Sequence, residues 1–179
     1  HEVSLIVPSE APEFLSWMPG NEDVITFSEE TSDICNDIIE DSEILFCLDF
    51  GGLNRVGPMQ ELITGRDLKY VMVDHHLFPQ DFDDYRYWSS EAAAAAELIF
   101  LLIEEFGDKE KITPVIATCL YTGIMTDTGS FRHSNTTSQV HDIVGQLIGL
   151  GADNTNIHRR IYDNNTESRL RLLGHMLLN

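Results

Sequence analysis

Asp74-His75-His76 stands at the end of the apolar run Tyr70-Val71-Met72-Val73. Carboxylate and imidazole side by side can hold a divalent first-row metal or face a phosphate. A β-type run that breaks abruptly into Asp and His is how a parallel strand ends at the carboxyl edge of an open α/β sheet, where such sheets place ligands. Two other apolar segments end in the same way: Ile44-Leu45-Phe46-Cys47-Leu48 stops at Asp49, and Gly123-Ile124-Met125-Thr126 stops at Asp127. Asp127 falls where a helix would expose carbonyls with partial negative charge, so a cation there would relieve it by roughly 0.3–1 kcal/mol. The competing reading of Asp127 alone is a solvated Thr-Asp-Thr-Gly turn.

The elements that must position these groups alternate along the chain, the signature of an α/β domain with a parallel sheet flanked by helices. The pattern predicts strands over Val3–Val7, Val24–Phe27, Ile44–Asp49, Tyr70–Asp74 and Tyr85–Trp88, with helices near Ser32–Glu40 and Pro58–Thr64. Pro12 through Gly20, with three breakers, reads as loop or broken helix. From Ser89 onward the pattern turns helical. Ser89 or Ser90 would cap a helix from Glu91-Ala92 to Phe106, stopped by Gly107. Its five alanines, Ala92 to Ala96, are either a face for close approach to the sheet or simply strong helix formers. Thr113-Pro114 opens the next helix, expected to point Val115, Ile116, Cys119, Leu120 and Ile124 inward and to end near Met125. A third helix begins at 135–137 and ends at 149–151. A fourth covers Thr155–Tyr162, and a last one follows Thr166 with an apolar stripe of Leu170, Leu172, Leu173, Met176 and Leu177.

Length and charge limit the partners. The 179 residues suit one domain or two small ones. Eleven Lys+Arg against 30 Asp+Glu give a net charge of −19, so the basic stripe that long nucleic acid requires is missing. A small phosphorylated ligand remains compatible if bound metal reverses the local charge. Cys35, Cys47 and Cys119 form no CxxC pair and read as buried free thiols, which fits a reducing cytoplasm. No apolar run approaches the roughly 18 residues of a membrane span.

The segments Leu48-Asp49-Phe50-Gly51-Gly52-Leu53-Asn54-Arg55-Val56-Gly57, Val73-Asp74-His75-His76 and Thr122-Gly123-Ile124-Met125-Thr126-Asp127-Thr128-Gly129-Ser130-Phe131-Arg132 occur in the order seen in the DHH phosphoesterases. The chain resembles that family over nearly its whole length, in particular the branch of oligoribonucleases (nanoRNases) and 3′-phosphoadenosine 5′-phosphate phosphatases. The resemblance implies two manganese ions, with magnesium as the alternative, activating water against a phosphoester. Asp49 then matches the bridging carboxylate, and His75 and Asp127 match ligands of one metal. Asp74 matches a partner orienting a histidine, and His76 the residue facing the substrate phosphate. The implied substrates are short RNA or a 3′,5′-bisphosphorylated nucleoside, with pyrophosphate or polyphosphate as the alternative. A non-catalytic nucleotide-binding module with an incomplete metal site is the reading from another class. The expected partners exclude long nucleic acid and membranes, and a homodimer is compatible with them.

One departure matters. The family's first motif, a strand followed by a turn with a His and two Asp, has no counterpart here, since His1 is the only early histidine. The expectation is a DHH domain over residues 1–165 without that N-terminal motif. Residues 166–179 would lead to an absent partner domain that carries a GGGH substrate-binding motif. Outside the metal groups, Arg55 and Arg132 are candidates to clamp phosphate, against salt bridges to nearby carboxylates. His133 is a candidate for substrate contact, against an exposed loop histidine. His141, His158 and His175 read as structural, Tyr87 and Trp88 as core rather than base-stacking. Asn135-Thr136-Thr137 reads as a helix cap, and Gly51, Gly52 and Gly129 either as points where backbone passes close to a metal or phosphate or as ordinary turns.

Overall fold

Each of the five predicted β-runs forms a strand, and all strand pairs are parallel. The computed structural model describes residues 2–163 and 167–178. His1, the 165/166 boundary and the start of the last helix at Thr166 lie outside the described residues. Strand β1 (Leu5–Val7) pairs with β2 (Val24–Thr26), and helix α1 (Ser32–Glu40) leads to β3 (Ile44–Leu48). A 3-10 segment over Leu53–Met59 and a single turn, α2 (Gln60–Ile63), lead to β4 (Lys69–Asp74), followed by β5 (Tyr85–Trp88). The strands form two sheets, β1-β2 and β3-β4-β5, where the sequence pattern suggested one. The two are joined through side chains: Ile6 and Phe27 pack against a buried cluster containing Ile39, Cys47, Val56, Met59, Ile63 and Tyr70.

The remainder is helical: α3 (Ala95–Glu105), α4 (Pro114–Asp127), α5 (Ser138–Gly149), α6 (Asn154–Tyr162) and α7 (Glu167–Leu178). Local chemistry sets most boundaries. Thr113 caps α4 by accepting the Ile116 N–H, with Pro114 following at the first helical position. Thr137 caps α5 through Val140, and Asp153 caps α6 through Asn156. Gly107, at φ 74°, ends α3 in the left-handed conformation that glycine adopts without Cβ strain.

Two expectations are corrected. The helix expected from Glu91 begins only at Ala95, because Ala94 is extended at φ −158° and ψ 153°. Ser89 accepts the Glu91 N–H within a turn instead of capping a helix. On α4 the buried positions are Ala117, Leu120, Tyr121, Thr122, Ile124 and Met125, whereas Val115 and Ile116 are exposed and Cys119 half-buried. The helix is apolar nearly all round, so the pattern could not choose its inner face. Its packed face joins α3, α5 and α6 around Phe100, Tyr121, Ile143, Leu147 and Ile157. The apolar stripe of α7 is exposed at Leu170, Leu172, Leu173, Met176 and Leu177.

Gly123 fixes how closely α3 and α4 approach: a Cβ there would lie 2.7 Å from the Ala96 methyl. Overpacking costs typically 1–3 kcal/mol, against at most about 1 kcal/mol of helix propensity gained. Gly123→Ala should therefore lower the stability by about 1 kcal/mol in urea unfolding. It should also weaken the site below, because Asp127 rides on the last turn of the same helix.

Candidate metal centre

The parallel register of β3 and β4 brings the first two acidic groups level. Leu48 lies opposite Val73, and the Asp49 N–H donates to the Val73 carbonyl at 3.0 Å. Both strands then end at once, with Asp49 and Asp74 as neighbours at the carboxyl edge. Asp49 leaves the strand at φ 65°, a conformation that Asp tolerates better than most residues and that concentrates at functional sites. Asp127 arrives from the other side as the last residue of α4.

His75 joins them. Its Nε2 lies 3.4 Å from Asp49 Oδ1 and 3.8 Å from Asp127 Oδ2, longer than the ~2.7–2.9 Å of a good charge-assisted hydrogen bond. Its Nδ1 faces the Ala92 carbonyl at 3.2 Å. A carbonyl only accepts, so Nδ1 must donate, and in the neutral ring the lone pair is then on Nε2. That lone pair points at two carboxylates. A cation between them would relieve the repulsion of lone pair and carboxylates, and imidazole plus hard oxygens suits a divalent first-row ion. The donor chemistry therefore fits a metal. Asp49, His75 and His76 each offer a ligand atom, all within 4.8 Å of one another, and among the described residues this is the one such cluster of three or more His, Cys, Asp or Glu.

Electrostatics point the same way. Burial raises the Asp127 carboxyl above its usual range, and the Asp49 charge adds to this while His75 and His76 oppose it. Asp49 is raised too, first by burial, with His75 and His76 lowering it and Asp74 raising it. Two carboxylates held where ionisation is disfavoured gain most from a cation.

Asp74 is fully buried and its Oδ1 accepts from His76 Nδ1 at 2.8 Å. This leaves Nε2 of His76, a half-exposed side chain, directed away from Asp74. Asp74 Oδ2 finds no partner and lies 2.9 Å from where a Cβ on Gly51 would sit. Gly51 thus makes room for a carboxylate and for Pro79. Trp88 donates its indole N–H to the His76 carbonyl at 2.8 Å, so this strand-end aromatic ties the loop after β4 in place.

The substrate candidates from the sequence are less gathered. Arg55 is exposed, and among the described residues its side chain makes no ion pair, so the salt-bridge reading is not met. Arg132 is exposed and donates from Nε to the Gly129 carbonyl at 2.7 Å, again without an ion pair among the described residues. His133 is exposed, with Nδ1 3.2 Å from the Asp127 carbonyl. Its ring covers Gly129, where φ is +55° and a Cβ would collide with the imidazole. His158 lies in an aromatic group with Tyr121, Phe131 and Tyr162, and pairs with Ser130 Oγ at 2.9 Å, just beyond Asp127. Sequence reasoning missed the Ala92 carbonyl that holds His75, together with Glu97 and Asn135 around it. The usable signal was Glu97 at the third position of α3, where an acid commonly reaches back over a helix start.

Parallel strands that end together in acid and imidazole, with a helix end closing over them, define an α/β domain of the kind that binds ligands beyond its strand ends. The profile described as "DHH family, N-terminal domain" matches residues 3–124. The chain belongs to the DHH family. It is 34% identical over 107 residues to a bifunctional oligoribonuclease and PAP phosphatase NrnA of Thermus thermophilus, which covers 60% of this chain and 32% of that protein. An uncharacterized protein of Mycoplasma genitalium is 30% identical over 136 residues, covering 76% of this chain and 40% of the other. The crystal structure of an exopolyphosphatase-related protein from Bacteroides fragilis superposes with a TM-score of 0.95 at 36% identity, over 99% of this chain and 52% of that one. The chain thus spans about half the length of that structure, and less of the curated relatives. Asp127 lies three residues beyond the matched family segment. Among the described residues no helix is long and apolar enough to cross a membrane.

Proposed function

We propose that the protein is a metal-dependent phosphoesterase acting on short oligoribonucleotides or a 3′,5′-bisphosphorylated nucleoside, with manganese as its ion. The observation that carries this is the His75 ring, donating from Nδ1 to Ala92 and turning Nε2 toward Asp49 and Asp127. Asp49, His75 and Asp127 would hold the ion. When bound it would supply Lewis-acid polarisation of a phosphoryl oxygen and a water acidified enough to attack at neutral pH. The chain's own groups do the rest. Asp74 holds the His76 proton at Nδ1, leaving Nε2 to meet a phosphoryl oxygen. Arg55 and Arg132 clamp outer phosphates, and His133 stands beside Asp127 to touch the substrate. The charge of −19 disfavours a long polyanion and supports a short substrate. Three unpaired cysteines support a cytoplasmic setting.

Two NrnA-named relatives support the nucleotide reading. The exopolyphosphatase-related neighbour favours the alternative, hydrolysis of pyrophosphate or polyphosphate. Cleavage by the full-length protein with manganese, across a ribodinucleotide, a bisphosphorylated nucleoside, pyrophosphate and a long RNA, separates them. The expected result is turnover of the first two at least tenfold faster than of pyrophosphate or long RNA. Preference for pyrophosphate selects the alternative. No turnover of any substrate selects a non-catalytic nucleotide-binding module. Residues 1–179 alone should bind manganese weakly and turn over little, because Asp49, His75 and Asp127 complete at most one of the two ion sites of this family. Full activity of that segment would contradict this.

A further inference from the structure

The five consecutive alanines Ala92–Ala96 should favour helix, yet the first three do not form one. Ala92, Ala93 and Ala94 are buried at 8%, 0% and 0% exposure, so their backbone polar groups need protein partners. Side chains supply them. Glu97, only 3% exposed, accepts the Ala93 N–H at Oε2 over 2.7 Å. Asn135, from the loop before α5, donates its amide Nδ2 to the Ala93 carbonyl at 3.2 Å. The two polar groups of one alanine are thus each held by a side chain, one from Glu97 in the adjoining helix and one from Asn135, 42 positions further along the chain.

The consequence falls on the neighbouring carbonyl. In a helix the Ala92 carbonyl would accept the N–H of Ala96 and be lost to side chains. Held outside the helix, it accepts His75 Nδ1 at 3.2 Å instead. That hydrogen bond keeps the ring's proton on Nδ1 and leaves the Nε2 lone pair facing Asp49 and Asp127. Asn135 Oδ1 meanwhile finds no protein partner, so the amide's one hydrogen bond among the described residues is the one to Ala93.

We propose that Glu97 and Asn135 are positioning residues for His75, acting through the non-helical backbone of Ala92–Ala94 to fix its tautomer and orientation. The inference rests on the proposed metal role of His75, but the tautomer can be read without metal. Long-range 1H–15N spectra of the full-length, metal-free protein at roughly pH 8, where ordinary imidazoles are neutral, report it directly. In the unsubstituted protein His75 should carry its proton on Nδ1. Asn135→Ala and Glu97→Ala should admit the Nε2–H form and weaken manganese binding, read by calorimetry, about 10–100-fold. Glu97→Gln keeps an acceptor for the Ala93 N–H and should stay near the unsubstituted protein in both readouts. A merely structural role would shift the melting temperature and leave the tautomer alone.

Finding the Nε2–H form in the unsubstituted protein would overturn the proposal, whatever the variants do. Folded alanine variants that keep both the Nδ1–H form and the manganese affinity would overturn it as well. If manganese fails to bind the unsubstituted protein while the variants still shift the tautomer, the clamp stands and the metal reading falls.

Discussion

Replacing His75 by alanine in the full-length protein should lower metal-dependent phosphoester cleavage by at least about 10³-fold. Groups that only orient a metal ligand cost about 10–100-fold when removed, so loss of a direct ligand must exceed that range. Three features make His75 the group with most to lose. Its Nε2 is the atom near both Asp49 and Asp127, its Nδ1 is committed to Ala92, and its side chain is the least exposed of the three. Asp49→Ala and Asp127→Ala should follow in the same direction. His76→Ala should differ in kind: manganese affinity falls little, while kcat falls by about 10²–10⁴-fold, because the proposed task of His76 lies at the phosphoryl group. Calorimetry beside steady-state kinetics separates the two patterns. Equal loss of metal affinity in both variants would make His76 a ligand, an arrangement that its place in the Asp49-His75-His76 cluster also permits.

The second large effect is on stability, and its sign depends on the ion. Asp49 and Asp127 are held above the ordinary carboxylate range, burial being the larger cause in each. A raised folded-state pKa stabilises the metal-free fold below the unfolded value, and that contribution is lost as pH rises through the folded value. The loaded protein behaves oppositely, since the ion needs both carboxylates ionised and is released as pH falls through the same window. Melting temperatures with and without manganese should therefore converge in acid and separate toward neutrality. At a free-ion concentration of 100 Kd the added stability is about 2.7 kcal/mol, or roughly 5–10 °C. Asp127→Asn should abolish that increment and slightly raise the metal-free melting temperature. Solvent screening of these partly exposed groups keeps the gain below about 1 kcal/mol. A metal-free Asp127→Asn protein less stable than its parent would contradict the electrostatic account.

Much of this arrangement was legible in the sequence because local rules and tertiary demands agree there. The strand Tyr85–Trp88 and helix α1, Ser32–Glu40, fall where periodicity places them. The three strand or helix ends carrying Asp49, Asp74 and Asp127 were readable because an apolar run that stops at an acid is a local signal. Ala92–Ala94 were not, because their non-helical form is held by hydrogen bonds from Glu97 and from Asn135, a residue far along the chain, against alanine's own preference for helix. The inner face of α4 was misread for a related reason. Val115 and Ile116 are as apolar as Ile124 and Met125, and only the packing of α3, α5 and α6 selects among them. The split of the strands into two sheets depends on backbone pairing, which no side-chain pattern records. The metal roles proposed for Asp49, His75 and Asp127 came from a family resemblance, while the distances between them came from the fold.

Diffraction from crystals of the full-length protein grown with manganese, using the metal's anomalous signal, would locate the ion itself. The ion should lie within about 2.0–2.3 Å of His75 Nε2 and of one oxygen each from Asp49 and Asp127. Active crystals whose manganese lies away from His75, or touches neither carboxylate, would contradict it.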